Sequence, residues 1–336
     1  MNAPGREAHA AFASLAIAIA SVLTLSAPGV ATAGAQPTGV AAAPVSAQQA
    51  RDFWTAERMR AAQPLDLRLR RDAQPLRAAT ADSRPGDAPR RVPALPPRSR
   101  ASASSTFGEV SDPTAPGLRQ NGVIFFAVGW RLARCSGTSV NAPDFSLVFT
   151  AGHCVNGGGS DGQWYRRLWV FVPGYRFGQR PFGVFPAKWL GSTRQWLTTG
   201  SENADVGAAV VMRNEHGQRL GDAVGAAGIA WNLKANQVFD VHGYPAGPPF
   251  DGETQRLCPQ TPFLGHDPGS FLSGGPLNLA VDCDVTGGAS GGGWTIAGGL
   301  LNSVTTYGYP DDPSTDFGPY FGSEVARLYR RAGSLR

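Results

Sequence analysis

The chain has 336 residues, 30 Lys plus Arg against 25 Asp plus Glu, and 42% hydrophobic side chains, which is enough apolar material for a sizeable folded body. The charge is uneven: residues 1–105 carry 13 Arg and 7 acidic side chains, whereas residues 106–336 carry 17 Lys plus Arg and 18 acidic ones. The body therefore lacks the basic field that a phosphate backbone requires, which excludes nucleic acid as an expected partner.

In chain order, Arg6 precedes a weakly polar Ala/Leu/Ile run from Ala11 to Leu25, followed by the small-x-small pattern Ala31-Thr32-Ala33. This pattern predicts a secretory signal peptide over 1–33. The run is shorter than the ~20 apolar residues that span a bilayer, and Ser14 and Ser21 interrupt it. No later stretch is long and apolar enough, so the expectation is a secreted, extracellular protein without stable membrane association. Residues 34–105 are rich in Ala, Pro, Arg and Ser and read as a prosegment and linker. Within them Ser46 to Ala62 predicts a short helix behind a Ser46-x-x-Gln49 capping box. Pro93, Pro96 and Pro97, followed by Arg98, Ser99 and Arg100, predict an extended, protease-accessible stretch.

From residue 106 onward, short apolar runs alternate with Gly, Pro, Asn and Asp clusters: Val123–Val128, Leu147–Thr150, Leu168–Val172, Val206–Met212, Val238–Val241 and Ile296–Val304. This is the pattern of an all-β barrel or sandwich. Ser323 to Arg331 instead has helical spacing, with Val325, Leu328 and Tyr329 on one side, and predicts a terminal helix.

The four cysteines, Cys135, Cys154, Cys258 and Cys283, are an even set in a chain expected to meet an oxidising compartment, and three pairings are open. Cys135 with Cys154 and Cys258 with Cys283 closes two short loops without nesting. No C-x-x-C or H-E-x-x-H occurs, so neither a metal nor a cofactor is expected.

Three residues have the context that nucleophilic hydrolysis needs. Ser290 lies in Thr286-Gly-Gly-Ala-Ser-Gly-Gly-Gly-Trp294, whose glycines let a carbonyl approach the backbone N–H groups. His153 ends a strand-like run in Phe149-Thr-Ala-Gly-His-Cys154, the placement that a base requires. Asp205 stands directly ahead of an apolar strand. His9 lies in the leader, and His216, His242 and His266 have no comparable context. Gly288-Ala-Ser-Gly-Gly292 also satisfies the G-x-S-x-G elbow of α/β-hydrolases, but those run Ser, acid, His, and no histidine follows Ser290.

The order His153, Asp205, Ser290 is that of the two-barrel proteases. Together with Cys135-Ser-Gly-Thr, Thr150-Ala-Gly-His-Cys154 and Gly288-Ala-Ser-Gly-Gly292, it makes residues 120–310 resemble the trypsin/chymotrypsin-like serine peptidases, more narrowly the secreted bacterial branch related to glutamyl endopeptidases. The resemblance implies two antiparallel six-stranded β-barrels, over 106–225 and 226–336, the latter ending in the short helix. It implies a triad of His153, Asp205 and Ser290 in the cleft between them, and an oxyanion hole from the N–H groups of Gly288 and Ser290. It implies one disulfide stapling the His153 strand and another fastening the loop before Ser290.

The implied activity is cleavage of protein or peptide substrates through an acyl-enzyme, by a monomer; a protease-fold binding module without turnover and an esterase are the alternatives. Two departures stand out: Ala289 where relatives of trypsin carry Asp, and Gly293 where Pro is usual. Without that Asp, the prosegment is expected to act by covering the cleft or by assisting a slow, non-local β fold. Asp284, six residues before Ser290, is the candidate acid for a basic specificity. Thr305 and Thr306 would line the pocket with hydroxyls, without the His that glutamyl preference wants.

Overall fold

The computed structural model describes residues 39–67, 88–95 and 108–335. The chain divides into a unit of residues Met1–Pro37 and a second of Thr38–Arg336. The expected signal peptide lies outside the described residues, and residues 96–100 of the predicted extended stretch are likewise outside them.

The described chain begins with β1 (Val40–Ala42), helices α1 (Ala47–Phe53) and α2 (Ala56–Ala61), β2 (Gln63–Pro64) and β3 (Arg90–Val92). The Ser46/Gln49 capping box forms as expected, but the single predicted helix is two. The break has a packing cause. Trp54 leaves the helix to bury its indole completely, with Nε1–H donating to Leu168 O, and Thr55 then caps a fresh helix by accepting from Arg58 N–H.

After β4 (Gly108–Glu109) come β5 (Asn121–Val128), β6 (Arg131–Val140), β7 (Leu147–Thr150), β8 (Arg167–Pro173) and β9 (Phe185–Ser192), then helix α3 (Arg194–Thr199) and β10 (Gly207–Val211). Strands β5 to β10 pair antiparallel in the order β9-β10-β7-β6-β5-β8, and β8 pairs with β9 to close a six-stranded barrel. Side-chain alternation explains why both faces of β5 are apolar. Ile124 and Phe126 point into the barrel with Val148, Phe171 and Phe185. Val123 and Phe125 point outward, under Trp54 and Met59 of the N-terminal segment. The barrel thus carries a second core on its outside, supplied in part by residues of the predicted prosegment helix.

The rest comprises helix α4 (Leu220–Val224), strands β11 (Gly228–Trp231), β12 (Val238–Gly243), β13 (Arg256–His266), β14 (Leu279–Asp282), β15 (Gly293–Ile296), β16 (Leu300–Val304), β17 (Tyr307–Tyr309) and β18 (Asp312–Gly318), and helix α5 (Ser323–Ala332). These eight strands form one sheet, β17-β18-β14-β13-β12-β15-β16-β11, extended by β3, with β4 pairing to β13. Two more strands appear than the six expected, because the chain leaving β16 turns into the β17–β18 hairpin. Phe239, Val241, Leu279, Val281 and Trp294 fill this half around the Cys258–Cys283 bond. Phe149, Val206, Val304, Phe321, Val325 and Leu328 form a third core joining both halves to α5.

Trp54→Ala removes the largest anchor of the N-terminal segment, and a buried Trp-to-Ala change costs about 3–5 kcal/mol. Hydrogen exchange should show α1 and α2 losing protection while β6 to β10 keep theirs.

Candidate active site

His153 sits in a single tight turn, Gly152–Cys154, directly after β7, and Asp205 follows a similar turn, Glu202–Ala204, directly before β10. Because β7 and β10 are antiparallel neighbours, Gly207 opposite Thr150, the end of one strand and the start of the other bring the two side chains together. The contact is two-pronged: His153 N–H donates to Asp205 Oδ1 at 2.7 Å, and Nδ1 lies 2.7 Å from Oδ2. Asp205 is fully buried, and Trp196 meets the imidazole edge-on at 6.5 Å. Gly152 has no alternative here, since a Cβ would lie 2.8 Å from Asp205 Oδ1 and 2.9 Å from the Trp196 ring.

Ser290 enters from the other half, at the tip of the glycine turn preceding β15. Its carbonyl accepts from Ser136 N–H at 2.8 Å, and Ser136 Oγ donates to Gly288 O at 2.9 Å. Ser136 follows Cys135, whose disulfide to Cys154 ties β6 to the residue after His153. The turn is therefore fixed against the same corner that carries the imidazole. Gly291, at φ +84°, packs so closely on Thr150 Oγ1 and Ser136 O that a Cβ would collide with both. Ala289 is buried against Gly243, the space in which relatives of trypsin would need a carboxylate. Among the described residues no hydrogen bond joins Ser290 Oγ to His153, and Nε2 is buried without a partner. The Ser290 hydroxyl opens on the cleft cavity, of about 620 Å³.

The expected oxyanion donors are oriented as a pair of different states. Ser290 N–H has no acceptor among the described residues. Gly288 N–H, at φ +96°, donates to Asp66 Oδ1 at 3.1 Å. Asp66 belongs to a stretch read in the sequence as linker. It follows β2, which pairs in parallel with β6 (Gln63 opposite Ala133, Pro64 opposite Arg134), and Leu65 N–H extends the pairing to Arg134 O at 3.1 Å. Leu67 then packs on Tyr307, Tyr309 and Phe317. Residues 63–67 thus lie across the cleft from one half to the other.

Burial pulls the His153 pKa down, but the charge and hydrogen bond of Asp205 and the charge of Asp66 help to outweigh it, and the net shift is upward. His242, buried with only the distant help of Asp240, goes the other way, to about 4. Cys135, His153 and Cys154 place their ligand atoms within 4.8 Å of one another, but both sulfurs are spent in the disulfide and offer no thiolate to a metal.

Thr305 and Thr306 line the cavity beside Ser290. Asp284 does not line it: its carboxylate is held by the Arg256 guanidinium at 2.9–3.1 Å. Three acids do line the cavity, Asp66, Asp312 and Asp316, and of these Asp316 on β18 is 3% exposed; sequence reasoning missed all three. The only local signal of Asp316 is an aspartate among buried neighbours in Thr315-Asp-Phe-Gly318, and nothing in that stretch ties it to Ser290.

Among solved structures, protease Anisep from Arthrobacter nicotinovorans is 34% identical with a TM-score of 0.61, the match covering 68% of this chain and 99% of that one. The thermostable serine protease AL20 from an extremophilic microorganism is 33% identical with a TM-score of 0.59, covering 65% and 98%. A Glu endopeptidase at 17% identity and a TM-score of 0.50, covering 70% and 100%, shares the fold. No family model and no curated protein matches the chain.

In the Ser290→Ala chain, an NMR titration should place the His153 imidazole above the ordinary value near 6.5, and Asp66→Asn should lower it by removing a neighbouring anion. The His242 ring should stay neutral to about pH 4 in both.

Proposed function

The chain belongs to the trypsin/chymotrypsin-like serine proteases, and from that membership we propose that it is a secreted endopeptidase, made as a latent precursor, in which His153, Asp205 and Ser290 form the catalytic triad. The observation that carries the reading is the buried two-point contact between His153 and Asp205, set at the corner to which the Ser290 turn is bonded.

In this reading Ser290 Oγ attacks the scissile carbonyl carbon as its proton passes to His153 Nε2, the ring nitrogen left without a partner. The carbonyl oxygen gains the negative charge and is met by the N–H groups of Gly288 and Ser290. Asp205 keeps Nδ1 protonated and stabilises the imidazolium. When the tetrahedral intermediate collapses, the C–N bond breaks, Nε2 returns its proton to the leaving amine, and an acyl-Ser290 ester remains. Water, deprotonated by the same nitrogen, repeats the sequence and releases the acid. Signal-led export agrees with two disulfides in the body.

Latency follows from the segment in the cleft. Gly288 N–H, needed for the developing oxyanion, is held by the Asp66 carboxylate. A side-chain carboxylate has no leaving group and little electrophilic character, so it occupies the anion site without being cleaved. This supports a prosegment that blocks the cleft.

A fluorophosphonate probe should label active protein at Ser290, and Ser290→Ala should not be labelled; an unlabelled wild type, free of its segment, would leave a binding module. Asp205→Asn should lower kcat by ~10⁴, the scale found when this acid is neutralised in enzymes of the class. In the unprocessed chain, Asp66→Ala should raise the labelling rate about 10- to 100-fold, the worth of one charged hydrogen bond.

A further inference from the structure

The nucleophile turn has no carboxylate of its own to brace it, since Ala289 is buried against Gly243. Its glycines Gly287 and Gly288 add little stiffness, yet the N–H groups of Gly288 and Ser290 must be aimed at one point. What holds the turn can be followed peptide by peptide. The carbonyl of the Gly287–Gly288 peptide accepts from Ala246 N–H at 2.6 Å and from Gly247 N–H at 3.0 Å. The carbonyl of the Ala289–Ser290 peptide accepts from Gly292 N–H at 2.8 Å. Between them lies the Gly288–Ala289 peptide, on which the relative aim of the two donors depends. Its N–H donates to Thr286 O at 3.1 Å, inside the turn, and its carbonyl accepts from Ser136 Oγ at 2.9 Å, from the other half of the molecule. No other donor reaches Gly288 O among the described residues.

The Ser136 hydroxyl has one orientation open to it. Ser136 is 1% exposed, and its Oγ accepts from Tyr244 N–H at 2.9 Å, so its single proton is committed to Gly288 O. The place of that oxygen is fixed as well, by the bond from Ser136 N–H to Ser290 O and by the Cys135–Cys154 disulfide next to it.

We propose that Ser136 is a positioning residue of the reaction, whose hydroxyl, through Gly288 O, sets the aim of the two oxyanion donors. The proposal rests on the serine-peptidase reading above. Ser136 touches no reacting atom and exchanges no proton. It acts on a charge that exists only after attack, because a neutral carbonyl draws weakly on misaimed donors and an oxyanion draws strongly. Loss of the hydroxyl therefore falls on kcat and spares KM. The ammonium of a newly cut chain end finds no acid at position 289, so its charge has no part in holding the turn.

The test uses the active enzyme recovered after expression of the full chain, a peptide amide that the wild type cleaves, and temperatures well below the melting point of each variant. Ser136→Ala deletes one oxygen and keeps the backbone bond to Ser290 O. Its kcat should fall about 10- to 100-fold with KM within about threefold of wild type. A peptide aldehyde, whose adduct with Ser290 turns an oxygen toward the donors, should bind more weakly by the same factor as kcat/KM. Ser136→Thr, which keeps the hydroxyl, should hold kcat within about fivefold of wild type.

Should neither variant fold, wild type still decides the matter. Cyanate near neutral pH carbamylates α-amino groups, with a pKa of about 8, ahead of lysine at about 10.4. The carbamylated enzyme should keep kcat within about twofold, and a tenfold loss would show that a chain-end charge holds the turn and overturn the proposal. Unchanged kcat in Ser136→Ala, a loss confined to KM, a loss of kcat with undiminished aldehyde binding, or a Ser136→Thr enzyme as slow as Ser136→Ala likewise overturns it and leaves the peptidase intact. No turnover by the wild type, with no phosphonate on Ser290, overturns both readings.

Discussion

Ser136 joins the two halves of the site. Its N–H donates to Ser290 O, its hydroxyl donates to Gly288 O and accepts from Tyr244 N–H, and its carbonyl accepts from Thr150 Oγ1. Four bonds from one small residue thus connect the nucleophile turn, Tyr244 just after β12, and the end of β7. The neighbour on one side, Cys135, is bound to Cys154 beside the imidazole. The neighbour on the other, Gly137, lies so close to Ile124 and Val148 that a larger residue would clash. The relative position of Ser290 and His153 is set by a corner of β6 that contains neither.

The site places its charges where water is absent, and pairs most of them. Arg134, 1% exposed, sits next to the nucleophile corner with Glu253, to which Tyr175 also donates. Asp205 is matched by His153. A buried charge without a partner is costly, and truncating one member of a pair leaves the other stranded. Against that rule Asp316 on β18 stands out, a buried acid that makes no ion pair among the described residues.

The fold and the His–Asp contact were legible because they depend on local pattern: short apolar runs bounded by glycine, and the order of three residues in chain. Of the three cysteine pairings open in the sequence, the short-loop one is the one that forms, and Ser46 and Gln49 marked a helix start that the structure has. What stayed hidden depends on contact across space. Trp54 reads as a residue inside a helix until Leu168 O is seen to hold its indole, which splits the helix in two. Asp284 has the offset of a pocket acid, but Arg256 draws it away, and Asp316 reaches the cavity only through the pairing of β18 with β14 and β17. Asp66 gave no sign, since proline and arginine around it suggest a linker and its role comes from the register of two residues, Gln63 and Pro64, on β6.

The segment before residue 68 is attached at more places than the cleft. Strand β1 lies on β9, and Trp54 and Met59 lie in the apolar layer outside the barrel. A backbone cut beyond residue 68 would therefore not free the cleft; it would turn a tethered plug into a separate polypeptide held by the same surfaces. Occupancy then ceases to be set by a tether and its effective concentration and follows the law of mass action. On the proposed latent-precursor reading, such a complex would stay silent where it is concentrated and become active as it is diluted, so the volume it enters would be part of its control.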